Sequence, residues 1–238
     1  MELVKEKTVA EVVAENIKAA HVFKKYGIDF CCGGNISIED ACVKKGVDFS
    51  VLMDELENID QVSKSYDYNK WELDFLIDHI INIHHNYVLE NIPLLSQYAT
   101  KVARVHGEEH PEVVKVKDLY LEVADELMSH MQKEEVILFP YIKELVNAKR
   151  EGGISEAPHF GTVQNPVKMM EHEHETAGNI FKEIAMLTSN YTPPEGACNT
   201  FKALYSKLEE FEQDLHQHIH LENNILFPKA IILEGNFN

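Results

Sequence analysis

Six residues in this sequence combine the types and the spacing that metal chemistry needs. Two segments are near copies: HMQKEEVILFP (residues 130–140) and HIHLENNILFP (residues 218–228). Each has a His, a Glu four residues on, and a closing Ile-Leu-Phe-Pro. Upstream of each lies a further His: His85 stands 45 residues before His130, and His174 stands 44 before His218. Each half of the chain therefore offers one His, then a His-x-x-x-Glu. A self-similar pair of this length points to two related helix hairpins. Imidazole nitrogens and carboxylate oxygens in this mixture suit iron, zinc or manganese.

These side chains stand where a helix needs its core. In the second long pattern the apolar stripe is Val113, Val116, Tyr120, Val123 and Leu127, then His130 and Glu134, then Ile137, Tyr141 and Leu145. In the fourth it is Phe201, Leu204, Leu208, Phe211 and Leu215, then His218, Glu222 and Ile225. The third runs Val167, Met170, His174, Ala177, Phe181, Ile184. Steps of three and four residues put each His and Glu on the inward face. An uncompensated buried carboxylate costs several kcal/mol, on the order of the desolvation penalty of an ion. A hydrogen-bonded polar network without metal would suffice for one such His. For a duplicated set of six, a pair of cations is the economical compensation, with the two Glu able to bridge them.

The elements that must position these residues are four long helical patterns. They run from about Lys70 to Ala103, about Pro111 to Lys149, about Pro166 to Thr188, and from after the TPPEGAC segment (residues 192–198) to about Leu233. A Gly/Pro-containing loop at residues 151–165 separates the middle two. Four such helices with modest connections predict an all-α chain folded as an up-down four-helix bundle. Ahead of it, short helical signals predict a small helical domain. Thr8 with Glu11 has the form of a capping box, and Gly27 and Gly46 stand where helices should end. Between them lies DFCCGGN (residues 29–35), which two adjacent glycines keep out of a helix interior. The expected domains are 1–62 and 67–235, with residues 61–69 as linker.

Composition narrows the classes. The chain has 238 residues, 22 basic and 40 acidic, for a formal charge of −18. A surface this negative disfavours nucleic acid and anionic lipid as partners. No apolar run approaches the roughly 20 residues that span a bilayer. The charged start MELVKEKTVAEVVAEN lacks a signal-peptide core, so the expected location is the cytoplasm. The four cysteines include no CxxC pair, which removes a zinc ribbon. Cys31 and Cys32 are adjacent and next to Gly33 and Gly34. Two readings stand: a redox-active or metal-transferring thiol pair, and a tight loop with one buried Cys. Cys42 and Cys198 are expected in the core.

The order His-x-x-x-Glu and the excess of His over carboxylate separate this pattern from the di-iron carboxylate enzymes, whose motif is Glu-x-x-His on two helices. Here only Glu171-x-x-His174 has that form. LIDHIINIHHNY, SHMQKEEVILFP, MEHEHETAGNI and HIHLENNILFP resemble the hemerythrin-like domain of the repair-of-iron-centres family, the iron-sulfur cluster repair di-iron proteins. DFCCGG resembles the small cysteine-containing domain that precedes it there. The resemblance implies a hemerythrin-like bundle and two non-haem iron ions with an oxo or hydroxo bridge. It implies His85, His130, Glu134, His174, His218 and Glu222 as ligands, and raises the active role of Cys31 and Cys32. The spacing and the family pattern both choose His85 over its neighbour His84, which periodicity alone would also permit. His172, His216 and His220 are expected on exposed or partly exposed faces, and His106 is a candidate for the surroundings of the site or a channel to it. The implied function is protection or repair of iron-sulfur proteins damaged by nitric oxide or oxidants, by reducing NO to N2O or by donating iron. An O2 carrier or sensor of the hemerythrin kind is the alternative. The sequence leaves open a homodimer.

Overall fold

The computed structural model describes residues 6–59, 67–153 and 158–237; the expected linker falls mostly on residues 61–66, outside them. Among the described residues the chain is all-α, with one isolated antiparallel bridge, Thr8 to Ser37, in place of any strand. It resolves into two compact units, residues 1–77, 145–155 and 216–238 in the first and residues 78–144 and 156–215 in the second.

The first unit opens with four short helices: α1 (Val9–Glu15), α2 (Ala19–Lys25), α3 (Ile38–Lys45) and α4 (Phe49–Ile59). The expected caps are present. Thr8 Oγ1 accepts from the Glu11 backbone N–H at 3.1 Å, while a Glu11 carboxylate oxygen accepts from the Thr8 N–H at 2.8 Å. Ser37 caps α3, and Gly46 ends it at φ +67°, a left-handed conformation that only glycine takes without strain. The DFCCGG loop is stitched to the start of α1, since Ala10 N–H donates to Gly34 O at 2.9 Å and Val9 N–H to Ile36 O at 3.0 Å. That close approach needs a glycine. A Cβ on Gly34 would lie 2.5 Å from the Phe30 carbonyl oxygen.

Four long helical runs follow: α5 (Leu73–His106), α6 (Glu112–Glu151), α7 (Gln164–Leu187) and α8 (Asn199–Gly235). Their extents agree with the four periodic patterns. In the second unit all four contribute to one core. Tyr87 of α5, Tyr120 of α6 and Phe181 of α7 each lie within 6.0 Å, ring to ring, of Phe211 of α8. Apolar stripes at helical spacing meet there because each can leave water only against the others.

Periodicity did not foresee three π-helical turns: Ile80–His85 in α5, Glu134–Leu138 in α6 and Glu222–Leu226 in α8. Each π turn carries one extra residue, which locally changes the face that the helix buries, although Tyr141, Leu145 and Ile225 stay buried as expected. Ile137, expected in the core, is exposed, and Leu138 and Phe139 are buried in its place. In α6 and α8 the cause is local. Phe139 N–H bonds back five residues to Glu134 O, and Phe227 N–H to Glu222 O. Pro140 and Pro228 follow at once, and a proline has no N–H to hold the tighter four-residue register. No proline accompanies the turn at Ile80–His85.

The crowding at Gly34 gives the first prediction. Gly34→Ala should lower stability by about 2 kcal/mol or more, the scale of forced backbone clashes. Gly153→Ala, whose Cβ would meet nothing closer than 3.9 Å among the described residues, should stay within about 0.5 kcal/mol of the parent. Thermal unfolding of the two variants checks this.

Candidate metal centre

The π turns place the polar core residues. His85 ends the turn in α5, Glu134 begins the one in α6, and Glu222 begins the one in α8. His130 and His218 lie one helical turn before their glutamates. All six expected ligands are buried, and the two glutamates have no exposed surface at all.

In the second unit, four of the six converge. His85 Nε2 and His130 Nε2 stand 3.4 and 3.3 Å from the same oxygen, Glu134 Oε2. His174 Nε2 lies 2.9 Å from His130 Nε2. Ligand atoms of His130, Glu134 and His174 all fall within 4.8 Å of one another. Cation bonds of about 2.0–2.2 Å put neighbouring donor atoms roughly 3.0–3.5 Å apart in tetrahedral or octahedral geometry. The observed spacings match that range. In the first unit, His218 Nε2 stands 3.0 Å from Glu222 Oε1, the same i,i+4 contact as His130 with Glu134.

The far side of two imidazoles explains which nitrogen faces inward. His85 Nδ1 lies 2.7 Å from Glu135 Oε1, and His130 Nδ1 lies 2.8 Å from Glu173 Oε2. A carboxylate can only accept, so each Nδ1 donates, and a neutral ring then turns its Nε2 lone pair towards Glu134. Two lone pairs and a carboxylate oxygen crowding one point repel each other; a cation there reverses the sign. Glu173 is itself held by Lys133. The hydrogen bond from His130 comes first and that from Lys133 adds to it; together they outweigh burial and hold the Glu173 carboxyl down at about 2. An outer carboxylate that orients a histidine and raises its basicity is the usual support of a metal ligand. Sequence reading missed Glu135 and Glu173. Each sits next to an expected ligand in the chain, which was the available signal.

The remaining histidines sort themselves. His84 is buried like His85, because both lie in the widened turn, and its Nδ1 is 2.9 Å from Asp214 Oδ1. His172 is exposed and His216 half-buried, as expected. His220 is fully buried, contrary to expectation, because its face is covered by Phe30; burial holds its ring neutral, down to about 4. His106 does not adjoin His85. It closes the 21-residue α-helical stretch that starts at Asn86, about 30 Å along the axis. There its Nε2 meets Cys198 Sγ at 3.3 Å. Cys198 is exposed rather than in the core, since it precedes α8 instead of lying within it, while Cys42 is buried as expected.

Cys31 and Cys32 lie in the first unit with His218 and Glu222. Asp29 Oδ1 accepts from the Cys31 N–H at 3.0 Å and from its thiol at 3.2 Å. The contact with Cys32, then burial, then the Asp29 charge push the buried Cys31 thiol up. Cys32 is half-exposed, with its Sγ 4.0 Å from Asn223 Nδ2, next in sequence to Glu222.

Residues 5–60 match the ScdA_N family, a domain of unknown function, and residues 76–230 match the hemerythrin HHE cation binding domain. The chain is 37% identical over 227 residues to the iron-sulfur cluster repair protein ScdA of Staphylococcus haemolyticus, covering 94% of this chain and 97% of that one. It is 38% identical over 228 residues to the iron-sulfur cluster repair protein YtfE of Escherichia coli O81, covering 95% and 97%.

The outer carboxylates yield a second prediction. Glu173→Gln should weaken metal binding about 10- to 100-fold, the usual cost of removing such a support, with little change in helix content. Competition against a chelator measures the first and circular dichroism the second.

Proposed function

The chain belongs to the iron-sulfur cluster repair proteins with a hemerythrin HHE domain, and from that premise we propose that it repairs or protects iron-sulfur proteins under nitrosative or oxidative stress through two non-haem irons. The proposed ligands are His85, His130, His174 and His218, with Glu134 and Glu222 as bridges. One observation carries the reading most strongly: Glu134, wholly buried, has two imidazole nitrogens facing one of its oxygens, each ring held from behind by a carboxylate that accepts from its Nδ1. The second half repeats the same His-Glu contact at 3.0 Å. Duplicated sequence with duplicated local geometry supports duplicated metal.

Two irons in such a site would supply one electron each to a pair of NO molecules, and could also be released to a damaged cluster. The chain's own residues do the rest. Buried apolar walls exclude water, the outer carboxylates Glu135 and Glu173 keep His85 and His130 aimed, and six protein ligands leave room for small molecules such as NO or O2. The thiol-bearing segment 1–62 and the metal-holding segment 67–235 divide these tasks. Among the described residues no helix is long and apolar enough to cross a membrane. The proposed setting is the cytoplasm, where free cysteines remain thiols.

Purified protein should carry two irons per chain. Glu134→Ala and Glu222→Ala should each lose iron and melt earlier, by the scale of an uncompensated change at a buried ion site, about 3–5 kcal/mol. Iron analysis beside calorimetry checks this, and a variant that keeps two irons at normal stability removes the bridge assignment. Anaerobic mixing of the reduced protein with NO should release N2O in a single turnover. No N2O would exclude NO reduction, and a stable, reversible oxygenated spectrum would favour the O2-binding alternative.

A further inference from the structure

The DFCC loop is gripped by two side chains that the metal site does not employ. Asn224 Nδ2 donates to the Cys31 carbonyl at 3.1 Å and reaches the Phe30 carbonyl at 3.4 Å. His220 Nδ1 lies 3.3 Å from that same Phe30 carbonyl and 3.0 Å from Asn224 Nδ2. The Phe30 ring sets its edge against His216 and His220, with centroids 5.9 and 6.0 Å apart. Each side chain keeps one polar atom that the loop does not use. Among the described residues, His220 Nε2 and Asn224 Oδ1 are buried with no hydrogen-bond partner. An apolar residue in either place would spare the cost of that unpaired atom but would take a partner from the Phe30 or Cys31 carbonyl. What the imidazole and the amide contribute is their contact with the loop.

Their place in the chain gives the grip its meaning. His220 lies between His218 and Glu222, and Asn224 lies in the π turn that Glu222 begins. Helix α1, stitched to the same loop, packs on that π turn as well. We propose that His220 and Asn224 are positioning residues: a latch that holds the Cys31–Cys32 thiols against the segment of α8 bearing two of the proposed iron ligands. The latch serves the repair function proposed above and rests on it for its purpose, though not for its geometry. Cys32, half-exposed and one residue's reach from Glu222 through Asn223, is the thiol it presents.

Four cysteines in one chain make the test internal. Full-length protein is treated with N-ethylmaleimide, and the alkylation rate at each cysteine is read by mass spectrometry. Cys198, exposed and distant in sequence, is the fast reference, and Cys42, buried in α3, reports general opening of the small helices. Asn224→Asp keeps the shape but sets a carboxylate against two carbonyl oxygens. It should raise the rates at Cys31 and Cys32 at least ten-fold relative to Cys198, leaving Cys42 and iron content as in the parent. His220→Phe keeps the ring on Phe30 but removes Nδ1, and should give a smaller rise of the same pattern. His220→Gln, which retains an N–H donor, should stay within about three-fold of the parent. Unchanged rates at Cys31 and Cys32 in both Asn224→Asp and His220→Phe overturn the latch. So does a matching rise at Cys42, which would mean ordinary loss of structure. Failure of the iron reading is seen separately, as protein without iron, and leaves these rates readable.

Discussion

Two carboxylates, Glu134 and Glu222, sit in the dry interior of a helical protein with no surface exposed to water. Everything near them answers that fact. Moving one such charge out of water costs several kcal/mol even after relaxation, a large part of the total stability of a domain. Hydrogen bonds from neighbouring rings could offset it only if those rings presented N–H groups at short range. Instead, two of the rings spend their N–H on Glu135 and Glu173, and their other nitrogens stop 3.3–3.4 Å short of Glu134. That separation is long for a charge-assisted bond and ordinary for two donors to one cation. At Glu134 that spacing favours a cation over a network of side chains alone; at Glu222 the 3.0 Å contact with His218 Nε2 fits either.

The same demand accounts for the π turns. A regular helix brings residues four apart to one face, which aligns His130 with Glu134 and His218 with Glu222. It then continues the stripe regardless of what the site requires. The widened turn begins at each glutamate and ends where Phe139 or Phe227 can resume ordinary packing, and the proline after each phenylalanine removes the donor that would pull the register back. Irregular helix at each glutamate is thus written into Ile-Leu-Phe-Pro. The duplicated motif is as much an instruction to the backbone as a supply of side chains.

Helix extents, the caps at Thr8, Ser37 and Gly46, and the inward set of His and Glu were legible because each depends on neighbours within about a turn. The outer layer was not. Glu173 supports His130 from a different helix, so no spacing rule could pair them. The exposure of Ile137 follows from a local change of buried face at the π turn that periodicity treats as noise. His220 illustrates the limit most clearly. Its position two residues from His218 and from Glu222 turns it away from their face, which an isolated helix would leave in water. Phe30, 190 residues earlier in the chain, covers it. Cys198 shows the converse: its chemistry suggested a core place, and the end of a loop put it outside.

The loop against that face also separates two cysteines that the sequence could treat only as a pair. Cys31 is buried, and its backbone N–H and thiol both donate to Asp29 Oδ1. Those bonds fold the loop, and the neighbouring thiol, burial and Asp29 together keep the sulfur protonated. A thiol held in that state is a weak nucleophile and a weak ligand, since the thiolate is the reactive form. Cys32 has part of its surface in water and lies beside Asn223, adjacent to Glu222. The two adjacent residues therefore occupy different environments: the first is tied into the turn that Asn224 and His220 grip, and the second keeps part of its surface in water.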